Sequence, residues 1–173
     1  MSRRLNLTVL GRQCTLSLSE TVTGYWVLFL RLLAGWWFLH AGVRKYTTPG
    51  EFSAGWFLEQ RGTVVSPILT VFAVGVTEAA VNVLVPLGEL LIGVGLLLGL
   101  LTRLASYFGA SMMFFLYFGT EQWRRGFVNG ELLGLVLFLT LVVFGAGRVL
   151  GVDQYLEDTD FVESNRWLRY VLG

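Results

Sequence analysis

Residues 24–46 read GYWVLFLRLLAGWWFLHAGVRKY, and this stretch decides the fold. An α-helix needs about twenty mostly apolar residues to cross the hydrocarbon core of a bilayer. This run provides them, with one arginine, Arg31, well inside its ends. A charge that faces lipid costs about 2.5 kcal/mol or more, so intramembrane charges normally face a bundle interior and find a partner there. The sequence therefore predicts a membrane-spanning helix whose arginine points inward.

One face of this helix combines glycines with cations. At about 100° per residue, that face consists of Gly24, Arg31, Gly35, Phe38, Gly42 and Lys45. Small residues let helices approach each other closely in membranes. We therefore expect this face to pack against another helix.

The composition indicates an integral membrane protein. Of the 173 residues, 54% are hydrophobic and 14% are charged, a balance typical of chains that span membranes. The net charge of +1 argues against a nucleic-acid partner. Cys14 is the only cysteine and His40 the only histidine, too few ligands for a haem, an iron–sulfur cluster or a structural zinc. We therefore expect no metal site and no cofactor held covalently or by metal ligands within the chain.

Three further apolar runs have the pattern of spanning helices, and they cover Val81–Thr102, Leu104–Gly119 and Glu131–Gly147. Asn129 is a plausible cap for the last of them. Short connections predict an all-α integral membrane fold, an antiparallel bundle of four transmembrane helices over residues 24–147. We treat residues 1–173 as one domain.

The segments outside the bundle are predicted to lie on surfaces. In residues 1–23, Leu5–Ser19 alternates with period two around a glycine-containing turn, which indicates a short hairpin on the membrane surface or, equally, a partly ordered tail. Residues 148–173 are acidic and then basic, as in a surface tail.

The connection between the first two predicted spans is rich in aromatic residues. Over Glu51–Val76 the pattern favours an interfacial or re-entrant segment, because its apolar run after Pro67 is too short to cross alone. A fifth span over Val65–Val85 is the alternative.

An even number of spans places both termini on one side of the cell membrane, and we expect that side to be cytoplasmic. The basic residues near the spans are equally divided between the two sides, so their distribution does not decide the orientation.

Counting ~1.5 Å of rise per residue places Arg31, Thr140 and Ser111 at similar depths and Glu89 about 10 Å deeper, a gap that an arginine side chain can largely cover. The predicted buried polar core consists of Arg31, Glu89, Ser111 and Thr140, centred on an ion pair between the arginine and the glutamate. Such a pair fixes which helices face each other, or it lines a pocket for a polar headgroup or a proton path. Both interpretations stay open at this point.

A second polar set is predicted at the opposite membrane surface. It consists of His40, Lys45, Arg124, Arg125, Asn129 and Glu131, with tryptophans nearby. The cations could attract a small anion, and the aromatic rings could flank a quinone headgroup.

Three stretches resemble the DoxX family, and they are closest to its DoxD branch. They are Arg31–Lys45, Gly88–Ser106 (GELLIGVGLLLGLLTRLAS) and Phe144–Leu156 (FGAGRVLGVDQYL). The resemblance implies four transmembrane helices without a bound metal, in the membrane subunit of a thiosulfate:quinone oxidoreductase. By position, its family-like charged residues are Arg31, Lys45, Glu89 and Arg103.

The resemblance leads to two functional hypotheses. The first is a membrane subunit that passes electrons to quinone, with a second redox subunit completing the enzyme. The other is a non-catalytic scaffold, or a protein that binds a lipid or small molecule. Glycine-rich helix surfaces would also permit a homo-oligomer.

Overall fold

The computed structural model describes residues 2–9, 11–48, 50, 52–59, 62–73, 75–124 and 126–173. Its elements in chain order are strands β1 (Ser2–Val9) and β2 (Arg12–Ser19), and helices α1 (Glu20–Thr47), α2 (Gly55–Leu58), α3 (Ser66–Leu69), α4 (Gly75–Leu98), α5 (Thr102–Gly119), α6 (Gly130–Phe144), α7 (Val152–Glu157) and α8 (Asp160–Ser164). Short 3₁₀ turns follow α3, α5, α6 and α8. The molecule is therefore mostly helical, as predicted.

The four long helices α1, α4, α5 and α6 pack around one apolar core. α1 packs against α4 and α5 against α6, while contacts between α4 and α5 and between α1 and α6 close the set. The core residues from these helices are Val27, Ala34, Phe38, Ile92, Leu96, Ala105, Ala110, Met113, Phe138 and Leu141. α1 and α4 are long and apolar enough to cross a bilayer, and α6 is a shorter apolar helix.

Glycines bring α1 and α4 into close contact. A Cβ added at Gly35 would lie 3.0 Å from the backbone nitrogen of Leu97, and one added at Gly42 would lie 2.9 Å from that of Leu90. On α4, a Cβ at Gly93 would lie 2.6 Å from the Cα of Leu39. The backbones approach closely only because these side chains are absent. The predicted glycine-rich packing face of α1 is therefore confirmed.

The boundary between α4 and α5 differs from the predicted one. α4 runs from Gly75 to Leu98 instead of Val81–Thr102, because the chain turns at Gly99 and Leu101, both with positive φ. Thr102 then becomes the first residue of α5.

The ends of α6 combine one confirmed and one corrected prediction. The side chain of Asn129 accepts a hydrogen bond from the backbone N–H of Leu132 at 3.0 Å, so the predicted cap is confirmed. The helix ends at Phe144 and not at Gly147, because Gly145 adopts a left-handed conformation with φ of 58°.

The connection between α1 and α4 forms two short helices, α2 and α3, followed by the 3₁₀ turn Thr70–Phe72. The predicted alternative of a fifth span over Val65–Val85 is wrong, because α4 already begins at Gly75 and continues through Val85. The side-chain oxygen of Asn82 on α4 accepts a hydrogen bond from the backbone N–H of Ala54 at 2.6 Å. This bond holds the connection against the side of α4.

The two terminal segments have different outcomes. β1 and β2 pair antiparallel, with Leu5 opposite Leu16 in the register and Gly11 in the turn at φ of 76°. Of the two predicted alternatives the segment forms the hairpin, and its place on the membrane surface stays a prediction. The C-terminal segment differs from the expected surface tail, because Asp153, Val162 and Leu172 are buried. It folds back onto the end of the bundle.

Candidate functional site

Arg31 is held at the end of the bundle by backbone carbonyl groups. Its side chain is buried, with 1% exposed, and Nη1 donates to the carbonyl oxygens of Ala146 at 2.7 Å and Val149 at 2.9 Å. Nη2 donates to the carbonyl of Leu150 at 3.3 Å. Gly99 also lies against the guanidinium, since a Cβ there would be 2.8 Å from Nη1. The arginine therefore joins α1 to the turn after α6 and to the α4–α5 turn.

Asp153 completes this cluster from the C-terminal segment. Its carboxylate is fully buried and accepts hydrogen bonds from the backbone N–H groups of Leu101 at 2.7 Å, Thr102 at 2.9 Å and Gly173 at 2.9 Å. An acidic side chain at the N-terminus of a helix satisfies unpaired N–H groups and opposes the positive end of the dipole. Asp153 thus caps α5, and its negative charge attracts the guanidinium of Arg31.

A partly buried ion pair lies further inside the bundle. Lys45 Nζ on α1 donates to both carboxylate oxygens of Glu89 on α4, at 2.5 and 2.6 Å. The side chains are 22% and 9% exposed. The cation also lies over the ring of Phe52, 5.2 Å from its centroid. Pairing compensates both charges in surroundings that would not accept either of them alone.

This pair forms one end of an apolar cavity of about 460 Å³. The other lining residues come from the connection between α1 and α4, from α4 itself and from α5. They are Phe52, Ala54, Trp56, Phe57, Leu58, Ile68, Leu69, Phe72, Val81, Val85, Met112, Phe115 and Leu116. Concave apolar pockets of this size with a few converging polar groups are typical ligand sites. We therefore take the cavity as the candidate functional site.

The cavity runs along α4 toward the connection. Val81, Val85 and Glu89 line it and are one turn apart on the same face. From Glu89 to the end of α4 at Leu98 the helix rises ~14 Å, so the ion pair lies well inside the bundle. Trp56 and Ile68, in contrast, are more than half exposed. The cavity is thus polar at its inner end and apolar at its outer end.

The predicted polar core does not form as one layer. Arg31 and Glu89 are both buried, but the predicted ion pair between them is wrong, because each has a nearer partner. Ser111 donates to the carbonyl of Tyr107 and Thr140 to that of Val136, each one turn back on its own helix. Such local bonds satisfy Ser and Thr hydroxyls without a neighbouring helix.

The residues of the second predicted polar set, at the opposite membrane surface, do not come together either. His40 is exposed beside the ring of Trp36, Arg124 pairs with Glu121 at 3.0 Å, and Asn129 caps α6. Glu131 is half-buried in the first turn of α6. Arg125 lies outside the described residues. Of the five described members, Lys45 is the one that lines the cavity.

Two functional features escaped the sequence reasoning. Asp153 belongs to the acidic C-terminal segment, and no periodic pattern of apolar residues around it predicts that it is buried. It does lie in the family-like stretch Phe144–Leu156. The Lys45–Glu89 pair was within reach, because Lys45 shares the inward face of the first helix with Gly42 and Glu89 shares its own with Gly93. Among the described residues, no group of three or more His, Cys, Asp or Glu side chains could hold a metal ion.

Comparison with known proteins identifies the family of the chain. The family model DoxX matches residues 26–122, which is more than half of the chain and includes every residue lining the cavity. Asp153 lies outside the matched region. No curated protein and no solved structure matches the chain. The extent of the family match shows that the chain belongs to the DoxX family of membrane proteins.

Proposed function

We propose that this protein is the multi-pass membrane subunit of a quinone-linked redox complex, of the thiosulfate:quinone type, and that the cavity binds the quinone headgroup. The observation that carries the proposal is the lining of the cavity: thirteen apolar residues and one partly buried ion pair, Lys45–Glu89. A quinone headgroup needs apolar walls for its ring and a hydrogen-bond donor for a ring oxygen.

The residues of the cavity fit such a group. Phe52, Phe57 and Phe115 provide aromatic walls, and aromatic rings pack well against other flat rings. Lys45 has three N–H donors, of which Glu89 takes two, so one N–H is left for a ligand oxygen. When bound, the quinone would be the electron acceptor of the reaction.

The electrons would come from a second redox subunit. This chain has one cysteine and one histidine, which cannot complete a haem or iron–sulfur site of its own. The role left to its side chains is to bind and orient the headgroup and to keep water away from it. The apolar walls of the cavity suit that role.

The quinone content of the purified protein tests the proposal. We expect about one quinone per protein when the complex is isolated from its own membranes in nanodiscs, extracted with solvent and measured by mass spectrometry. Val85→Trp should abolish this content because the indole fills the cavity that Val85 lines. Val83→Trp is the matched control, since Val83 lies on the same helix and is 58% exposed.

Two outcomes would contradict the quinone site. One is a wild-type protein without quinone, and the other is a Val85→Trp protein that retains it. A different amphiphile in the extract, together with no thiosulfate-dependent quinone reduction by the intact complex, would favour the second hypothesis of a non-catalytic binding protein or scaffold.

We also propose that all four long helices cross the membrane with both termini in the cytoplasm. The start of α1 and the segment after α6 lie together, since a Cβ at Gly24 would be 3.9 Å from a methyl of Val149. This contact supports an even number of crossings.

Labelling with a membrane-impermeant maleimide tests the orientation. In a Cys14→Ser background, we expect Glu163→Cys to be protected in intact cells and Thr48→Cys to react, because both residues are exposed but lie at opposite ends of the bundle. Reaction of Glu163→Cys in intact cells would contradict this orientation.

A further inference from the structure

The charge balance of the cavity restricts what it can bind. Among the described residues that line it, Lys45 is the one cation and Glu89 the one anion. Their contacts at 2.5 and 2.6 Å join Nζ to both carboxylate oxygens, so the pair is closed on itself. The inner end of the cavity therefore offers hydrogen bonds but has no net charge.

A ligand with an ionised headgroup would be poorly accommodated there. Its charge would leave water for an apolar cavity in which the only cation is already neutralised, and an uncompensated buried charge is strongly unfavourable. An uncharged oxygen of a ligand needs only one hydrogen-bond donor, which the remaining N–H of Lys45 provides. The cavity thus favours neutral headgroups over anionic ones.

We infer that the cavity selects an uncharged amphiphile, a molecule with a neutral oxygen-bearing head and an apolar tail, because Glu89 neutralises Lys45 and leaves the cavity without a free charge. The inference rests on the proposed function insofar as the cavity must bind a ligand. It adds that fatty acids and anionic phospholipid headgroups are rejected because Lys45 is already paired with Glu89.

The arrangement of the cavity also orients such a molecule. Its head lies at the inner end beside Lys45 and Glu89, while its tail lies between Val81 and Val85 of α4 and the connecting segment. Trp56 and Ile68 line the outer end and are more than half exposed, so the tail continues into an apolar surface.

The experiment compares a fatty alcohol and a fatty acid of equal chain length, each carrying a photoreactive diazirine, with the wild-type protein in nanodiscs at alkaline pH. The alcohol should label peptides that line the cavity, and unlabelled alcohol should compete at least about tenfold better than unlabelled acid. Glu89→Gln frees the charge of Lys45, so it should reverse the preference toward the acid. Glu163→Gln, an exposed glutamate of α8, is the matched control and should keep the wild-type preference.

The double variant Lys45→Gln/Glu89→Gln keeps the result interpretable if the single variant fails to fold. It removes both charges together, and it should keep the preference for the alcohol. Labelling of the cavity by both probes with equal competition would overturn the selectivity but leave the binding site intact. Labelling by neither probe would overturn the binding site itself, and with it the inference.

Discussion

The Gly93→Ala protein is expected to lose most of its folded population. The added methyl would stand 2.6 Å from the Cα and 2.8 Å from the Cβ of Leu39, so α1 and α4 would have to separate by about 1 Å to reach a normal contact distance. Overpacking against a side chain costs about 1 to 3 kcal/mol. Here the obstacle is backbone, which cannot rotate away, so we expect the upper end of that range or more.

The separation should also disturb the candidate site. Lys45 and Glu89 are each about one turn from the close contacts of Gly42 and Gly93, so moving α4 outward lengthens the ion pair. We expect a lower yield from membranes, a lower apparent unfolding midpoint by fluorescence-detected size exclusion, and loss of bound ligand.

Gly88→Ala is the matched control on the same helix. Nothing lies within 4 Å of a Cβ added there, and alanine is favoured over glycine inside a helix by about 1 kcal/mol. This variant should be as stable as the wild type or slightly more stable. Equal stability of Gly93→Ala and Gly88→Ala would show that α1 and α4 do not pack as closely as described.

The second large effect is expected from Asp153→Ala. The change leaves the N–H groups of Leu101, Thr102 and Gly173 without their acceptor and removes the charge that attracts the guanidinium of Arg31. Each buried donor that is left without an acceptor costs about 1 to 3 kcal/mol, so the loss of all three is a large effect. We expect the apparent unfolding midpoint to fall strongly, and α5 to lose protection from hydrogen exchange at its first turn.

The control for this prediction is Asp158→Ala. Asp158 belongs to the same C-terminal segment but is exposed, so its removal should leave the unfolding midpoint within experimental error. Asp153→Asn should be intermediate, because the amide keeps one acceptor oxygen and loses the charge. An Asp153→Ala protein as stable as the Asp158→Ala protein would contradict the role given to the carboxylate.

The main helices could be predicted from the sequence because their apolar runs are long. The face of the first helix that combines Gly35 and Gly42 with Arg31 was predicted to point inward, and all three residues are buried. Helix ends were less predictable. They depend on positive φ at Gly99, Leu101 and Gly145, and leucine gives no sign in the sequence of adopting that conformation.

The partner of Arg31 was predicted wrongly because the depth of each residue in the membrane was counted from the predicted helix ends. The count assumed that all helices begin at one membrane surface. In the structure α1 extends ~16 Å from Glu20 to Arg31 before it reaches the level of Gly99, where α4 has already ended. Arg31 therefore lies at the end of the bundle, and Glu89 belongs to the deeper level of Lys45.

Asp153 shows a second limit of sequence reasoning. Its hydrogen bonds connect residues 20 to 52 positions apart, and they are made to backbone groups, which carry no residue-specific signal. The side chain is polar, and charged side chains are normally exposed. Only the three-dimensional path of the C-terminal segment places it beneath α5.

The hydrogen bonds of Arg31 can form only late in the synthesis of the chain. Its three carbonyl acceptors lie 115 to 119 residues later in the chain. At about 5 to 20 residues per second, the ribosome needs about 6 to 24 s to produce them after it has added Arg31. Throughout that time α1 carries a guanidinium without its final partners, which adds about 2.5 kcal/mol or more to the free energy of holding the helix in lipid. The hydrogen bonds that fix Arg31 thus form only after α6 and the turn that follows it have been translated.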